Sequence, residues 1–149
     1  MYASKILRLF LYILFAIGVL VTVSMPFMIT TYMKILYDAY ELHEGYKIFI
    51  TVFLMVVGTL GLFIILELII MLRTVAENPF IKRNVKSLYI IGITAFITAA
   101  VFFVKCFFFI TTMTLIGGAA LFILGLFALT LADLFKKAVE YKEENDLTI

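Results

Sequence analysis

The chain has 149 residues, of which 65% are hydrophobic and only 15% are charged, and its net charge is +2. Soluble domains carry about 45–50% apolar and about 25% charged residues, so this composition excludes a water-soluble enzyme. The near balance of 12 basic and 10 acidic residues gives no basic face for direct nucleic-acid binding, and the one cysteine excludes an intrachain disulfide.

Charged residues mark the ends of the first two predicted membrane spans. Residues 9–33 carry no charge, and the run is long enough for one helix across a hydrocarbon core of about 30 Å. It is longer than a signal-peptide core and lacks a small-residue cleavage site, so we predict an uncleaved helix that Pro26 kinks or ends. Residues 48–72 form the second predicted span, which Glu67 interrupts.

Between these spans, residues 34–47 have apolar positions at helical spacing, several tyrosines, and Gly45 as a C-terminal stop. We predict a short helix on the outer surface with its rings at headgroup level. Two interpretations of its polar residues are a solvated face and a cation site made of Asp38, Glu41, His43 and Glu44. No metal-binding motif has this spacing, which favours the solvated face.

The segment before the third span contains Asn78 and Pro79, followed by Phe80. Asparagine is a favoured N-cap and proline is favoured at the first helical position, so we predict a helix that begins at Pro79. The segment is interpreted either as a helix start anchored by basic residues or as an elbow that transmits motion between spans two and three.

The last apolar stretch, residues 87–132, is broken only by Lys105 and is more than twice as long as one span requires. We therefore predict a hairpin that turns around residues 111–114, with span three at 87–108 and span four at 115–132. Lys105 is expected to extend outward to the interface. Residues 133–149, which we name the tail, have helical periodicity and are predicted to continue span four as an amphipathic cytoplasmic helix.

These elements predict an all-α, polytopic membrane protein, a single domain over residues 1–149 with four transmembrane helices. Nine of the 12 basic residues fall on the side that holds both termini and the segment between spans two and three, which predicts that both termini are cytoplasmic. Small residues in spans two to four allow close helix approach. Packing within one four-helix bundle and association into a homo-oligomer both explain them.

Glu67 is the only acidic residue inside a predicted span, and an intramembrane carboxylate is a functional hypothesis because burying its charge is costly. It lies about 7.5 Å from the end of the span, at about 1.5 Å per residue, so it could reach interfacial water or a basic residue such as Arg73. The sequence has no catalytic triad, phosphate loop or paired-histidine motif, so we expect a non-enzymatic protein without a cofactor.

Two segments carry a resemblance. Residues 78–88, which read NPFIKRNVKSL, and residues 143–149, which read EENDLTI, resemble the signatures of an uncharacterised bacterial membrane protein family, domain of unknown function 2975. The resemblance implies the bacterial cytoplasmic (inner) membrane and, in many genomes, a neighbouring gene for a small helix-turn-helix regulator. It implies no activity and no catalytic residue.

The leading hypothesis is a regulatory or sensory membrane protein whose cytoplasmic face holds a soluble partner such as that helix-turn-helix regulator. The predicted contact residues are Asn78, Pro79, Phe80, Asn84, Asp146, Leu147, Thr148 and Ile149. The end of the tail either folds back onto the protein or docks into the partner. The alternatives are a small transporter or channel subunit that uses Glu67, and an immunity or stress-protection protein. The transporter or channel is expected to be an oligomer, because four helices leave little room for a pathway.

Overall fold

The computed structural model describes residues 2–40, 44–75 and 78–147, and the side chains of these residues except 2–4, 33, 36–40 and 44. The chain forms four helices, which are α1 (Tyr2–Tyr40), α2 (Glu44–Val75), α3 (Lys82–Phe108) and α4 (Thr112–Leu147). The described ranges contain no strand. All four helices are long and apolar enough to cross a membrane. The predicted all-α, four-helix, multi-pass membrane architecture is therefore confirmed.

Each predicted span lies inside one of these helices, but the first two helices extend further than expected. Pro26 does not end α1, which continues to Tyr40. Proline is tolerated within a membrane helix because local adjustments and nearby hydroxyl groups satisfy the backbone groups that it disturbs. The hydroxyl of Thr30 also donates to the carbonyl oxygen of Pro26 at 2.7 Å, four residues back in the same helix.

The separate surface helix predicted over residues 34–47 is wrong for the described part of that segment. Residues 34–40 are the last turns of α1, and α2 already begins at Glu44, so Gly45 lies in a first turn and stops no helix. The helical spacing that suggested a separate helix is the continuing period of α1. The side chains proposed as a cation site lie outside the described residues.

The helices pack in the order in which they occur in the chain. Among the described residues, Cα atoms of different helices come within 8 Å only for the pairs α1 and α2, α2 and α3, and α3 and α4. The helices therefore form an open row in which α1 does not close onto α4. Large apolar side chains on the outer faces remain exposed, as expected where lipid is the solvent.

The closest helix contact joins α3 and α4 through small residues. A Cβ atom built on Gly92 would lie 2.7 Å from Cδ2 of Leu129 and 3.2 Å from the carbonyl oxygen of Gly125. Alanines extend the buried contact on both sides of this crossing, at positions 95, 99, 128 and 132. Without a strong hydrophobic force between helices in lipid, such close packing is a main source of association.

We expect Gly92→Ala to destabilise the protein by about 1–3 kcal/mol, because the added methyl group overpacks the α3 and α4 crossing. The matched control is Gly61→Ala, since a Cβ atom there meets nothing within 4 Å. The control should be neutral or stabilising by up to about 1 kcal/mol, because alanine favours the helix. Unfolding in mild detergent measures both variants, and equal midpoints would contradict the proposed close contact.

Candidate functional site

The carboxylate of Glu67 on α2 is buried, with only 7% of the residue exposed. Its Oε2 atom accepts hydrogen bonds from Ser87 Oγ at 2.9 Å and from Arg83 Nη2 at 3.2 Å, and both donors belong to α3. The sequence-based suggestion of Arg73 as its partner is wrong. Arg73 is six residues along the same helix and faces another way, where its Nε donates to the Tyr12 hydroxyl of α1 at 2.9 Å.

In this arrangement one cation and one hydroxyl group compensate the charge of the buried carboxylate and donate hydrogen bonds to it. Removing a carboxylate from water is costly unless a counter-charge and hydrogen bonds compensate it. Glu67 therefore joins α2 to α3, and the joint is asymmetric, since the Arg83 side chain retains 36% of its exposure while Glu67 retains 9%. An ion that bound Glu67 would compete with Arg83 and Ser87 for the carboxylate.

Directly after Arg83 in the chain, the fully buried side chain of Asn84 holds the residues that precede α3. We name residues 78–81 the elbow. The Asn84 amide Nδ2 donates to the carbonyl oxygen of Pro79 at 2.8 Å, and the Thr74 hydroxyl donates to Asn84 Oδ1. Asn84 thus fastens the elbow to the last turn of α2.

The predicted helix start at Pro79 is wrong, because α3 begins at Lys82 with Ile81 in the N-cap position. The backbone N–H of Asn78 donates to the carbonyl oxygen of Thr74 at 2.9 Å, so Asn78 completes the final turn of α2 and does not cap α3. The Asn-Pro pair therefore follows α2 and opens the elbow, which leads to α3.

The elbow and the tail, which the sequence treats as separate candidate segments, contact each other. Lys82 Nζ lies 2.8 Å from Glu143 Oε1, and Lys142 Nζ donates to Asn78 Oδ1 at 3.1 Å. The ring of Phe80 packs against Phe135, with their centroids 5.6 Å apart. Exposed ion pairs contribute at most about 1 kcal/mol each, so this attachment is weak enough to open.

Beyond that attachment the tail is an exposed helix. Every residue from 140 to 147 is exposed, including Asp146, and α4 ends at Leu147. Two large apolar side chains are especially accessible in this charged stretch, with Tyr141 72% and Leu147 86% exposed. Thr148 and Ile149 lie outside the described residues, so the alternatives of folding back and docking remain predictions for the end of the tail.

Lys105, at the opposite end of α3, does not extend outward as expected and is only 8% exposed. Its Nζ donates to Thr114 Oγ1 at 2.7 Å and lies 5.1 Å from the centroid of the Phe53 ring. A hydroxyl group and an aromatic face stabilise the ammonium group without bulk water. The threonines in the predicted hairpin turn could have predicted this contact, because the turn brings their hydroxyl groups and the start of α4 beside Lys105.

The described residues contain no group of three or more histidine, cysteine or acidic side chains that could hold a metal ion. The polar groups that come together are instead bonded to one another across helix boundaries. Their arrangement positions the elbow, and through it the base of the tail, relative to the membrane spans. What this site can do chemically is couple segments, since its donors and acceptors are already occupied.

We expect Glu67→Gln and Arg83→Gln to be coupled by about 1–3 kcal/mol in unfolding free energy, because the two groups compensate each other's charge. The double variant should therefore lose less stability than the two single variants lose together. Arg73→Gln is the control for Arg83→Gln, and it should cost less than about 1 kcal/mol because Arg73 is exposed. Additive losses in a double-mutant cycle would refute the Glu67–Arg83 joint.

Residues 29–149 match the family model described as protein of unknown function (DUF2975). The matched region includes the elbow, the tail and the Glu67 joint, and leaves out residues 1–28, which hold most of α1. No curated protein and no solved structure matches the chain. Because the match covers most of the chain, the protein belongs to the DUF2975 family of proteins of unknown function.

Proposed function

We propose that this protein is a non-enzymatic regulatory or sensory protein of the bacterial cytoplasmic membrane whose elbow and tail hold a soluble partner. The observation that carries the proposal is the contact of the tail with the elbow and with the first residue of α3, made by Lys142 with Asn78 and by Glu143 with Lys82. The contact turns two short segments into one surface at the end of the helix row. The tail then extends from this surface as a helix in which every residue from 140 to 147 is exposed.

The chemistry of the exposed helix supports a protein partner. Tyr141 and Leu147 present apolar surface, and Lys142, Glu143 and Asp146 surround them with charge of both signs. Exposed apolar side chains on a helix bind by entering pockets of another protein, and Tyr141 and Leu147, six residues apart, lie on different sides of the helix. A small helix-turn-helix protein is the partner that we propose, as the family resemblance implies.

A route for a signal runs through the polar contacts between the spans and the elbow. Glu67 joins α2 to α3, and the Thr74 and Asn84 contact joins the end of α2 to the elbow. A shift of α2 against α3 would therefore move the elbow, and Lys82 would pass the movement to the tail. Since the last contact is exposed and weak, it is the step at which partner binding can be switched.

The orientation is part of this proposal. The tail and elbow must face the cytoplasm to meet a soluble regulator, as the excess of basic residues on that side favours. We expect alkaline phosphatase fused after Ile149 to be inactive and the same enzyme inserted after Ile110, between α3 and α4, to be active. The reverse pattern in cells would place both termini outside and remove the proposed partner.

For the partner itself, we expect Tyr141→Ala combined with Leu147→Ala to reduce co-purification of the proposed helix-turn-helix regulator by about tenfold or more. Loss of two exposed anchor residues commonly costs at least about 1.4 kcal/mol, which is tenfold in affinity. The full chain carries its affinity tag at the N-terminus, so that the tail stays free.

The matched control is Tyr32→Ala combined with Leu20→Ala, which removes an exposed tyrosine and an exposed leucine from α1. This control should leave both co-purification and transcription of the regulator's targets unchanged. Equal recovery of the regulator with both double variants, or no recovery with the unaltered chain, would count against the proposal.

A transporter or channel subunit is the second candidate, and the burial of Glu67 is the observation that favours it. The pairing of the carboxylate with Arg83 and Ser87 weakens it, because a transported ion or proton would have to compete with both. Equal ion flux through the unaltered chain and the Glu67→Gln variant, both reconstituted in vesicles, would remove this candidate. No described residue distinguishes an immunity or stress-protection role.

A further inference from the structure

A groove of about 420 Å³ runs between α3 and α4 at the end of the row that carries the elbow and the tail. Its walls are apolar and are formed chiefly by Val85, Ile90 and Ile93 of α3 and by Val139 of α4. Ile93 is 53% exposed, so the groove opens on the outer face of the helix pair. In the membrane this face is next to lipid.

The rim of the groove at its tail end is basic. Lys82 and Lys86 of α3 stand one turn apart, Lys136 of α4 lies on the rim with them, and Glu140 is the acidic residue there. Lys82 is paired with Glu143. Within the part of the chain that the structure describes, no carboxylate oxygen lies within 4 Å of the ammonium groups of Lys86 or Lys136.

The basic rim and the apolar wall are arranged like the headgroup and the acyl chain of a phospholipid. Lys86 lies at the start of predicted span three, at headgroup level, and Ile93 lies seven residues deeper, or about 10 Å along the helix axis. A phosphate held at the rim would therefore leave an acyl chain to follow the apolar wall into the hydrocarbon region. Basic pockets between membrane helices bind anionic headgroups in this way.

We propose that the groove between α3 and α4 binds an anionic phospholipid, with its phosphate between Lys86 and Lys136 and an acyl chain along Val85, Ile90 and Ile93. Charge complementarity selects the lipid class, because the two ammonium groups lack acidic partners among the described residues. The groove does not use Tyr141, Leu147 or the end of the tail, so the inference stands without the proposed partner.

The test uses the full-length protein, purified in mild detergent, stripped of lipid, and mixed with phosphatidylglycerol or phosphatidylcholine before native mass spectrometry. The unaltered chain should retain phosphatidylglycerol over phosphatidylcholine. Lys86→Gln combined with Lys136→Gln should lower the retained phosphatidylglycerol by about tenfold or more, since the phosphate then loses both of its proposed cationic contacts in the groove. Lys5→Gln combined with Lys137→Gln removes the same charge outside the groove and should change little.

A second pair of variants tests the apolar wall separately. Ile93→Trp should fill the groove and reduce retention of phosphatidylglycerol, whereas Ile97→Trp, one turn deeper and outside this groove, should not. Both isoleucines are exposed, so neither change disturbs the buried packing. Equal retention of the two lipids by the unaltered chain would overturn the site. So would an equal loss of phosphatidylglycerol in the lysine double variant and its control, or in the two tryptophan variants.

Discussion

The carboxylate of Glu67 lies inside an apolar helix, and the position of α3 beside α2 depends on how that charge is compensated. Arg83 and Ser87 supply the compensation from α3, four residues apart and therefore on one face of that helix. Because the donors must meet the acceptor, the pair fixes the depth of α3 relative to α2 as well as its rotation. Apolar contacts alone specify poorly how far α3 is shifted along α2, because similar apolar side chains can replace one another at the contact.

From this joint the consequences extend in both directions along α3. Toward the elbow, Asn84 binds the carbonyl oxygen of Pro79 and the Thr74 hydroxyl, so the chain between the helices has a set path. Deeper in the membrane, Gly92 lies against α4 at a contact too close for a side chain. α3 thus packs on both sides, against α2 through the polar joint and against α4 through close contacts of small residues and the Lys105–Thr114 hydrogen bond. The elbow, the tail and the lipid-facing groove all take their positions from it.

The sequence predicts the helices well because their main determinant, a long uncharged run, is local. It also predicts the hairpin after Phe108, because an apolar stretch of that length cannot cross once. Features that depend on a neighbouring helix were predicted less well. The partner of Glu67 lies on α3, the hydroxyl that binds Lys105 lies on α4, and α3 begins at Lys82 because the Asn78 N–H completes α2. None of these contacts has a signal in sequence spacing along one helix.

Because the helices pack in chain order, each one can pack on its neighbour as the protein is synthesised and inserted into the membrane. Chains emerge from the ribosome N-terminal end first, and contacts between elements close in sequence form sooner than distant ones. Each helix of this protein packs on the one synthesised immediately before it, and among the described residues no pair of helices has to wait for a third. Arg83 enters the bilayer when its acidic partner on α2 is already there. Arg83 therefore meets its counter-charge as soon as it enters the bilayer, and Glu67 is paired once α3 has entered.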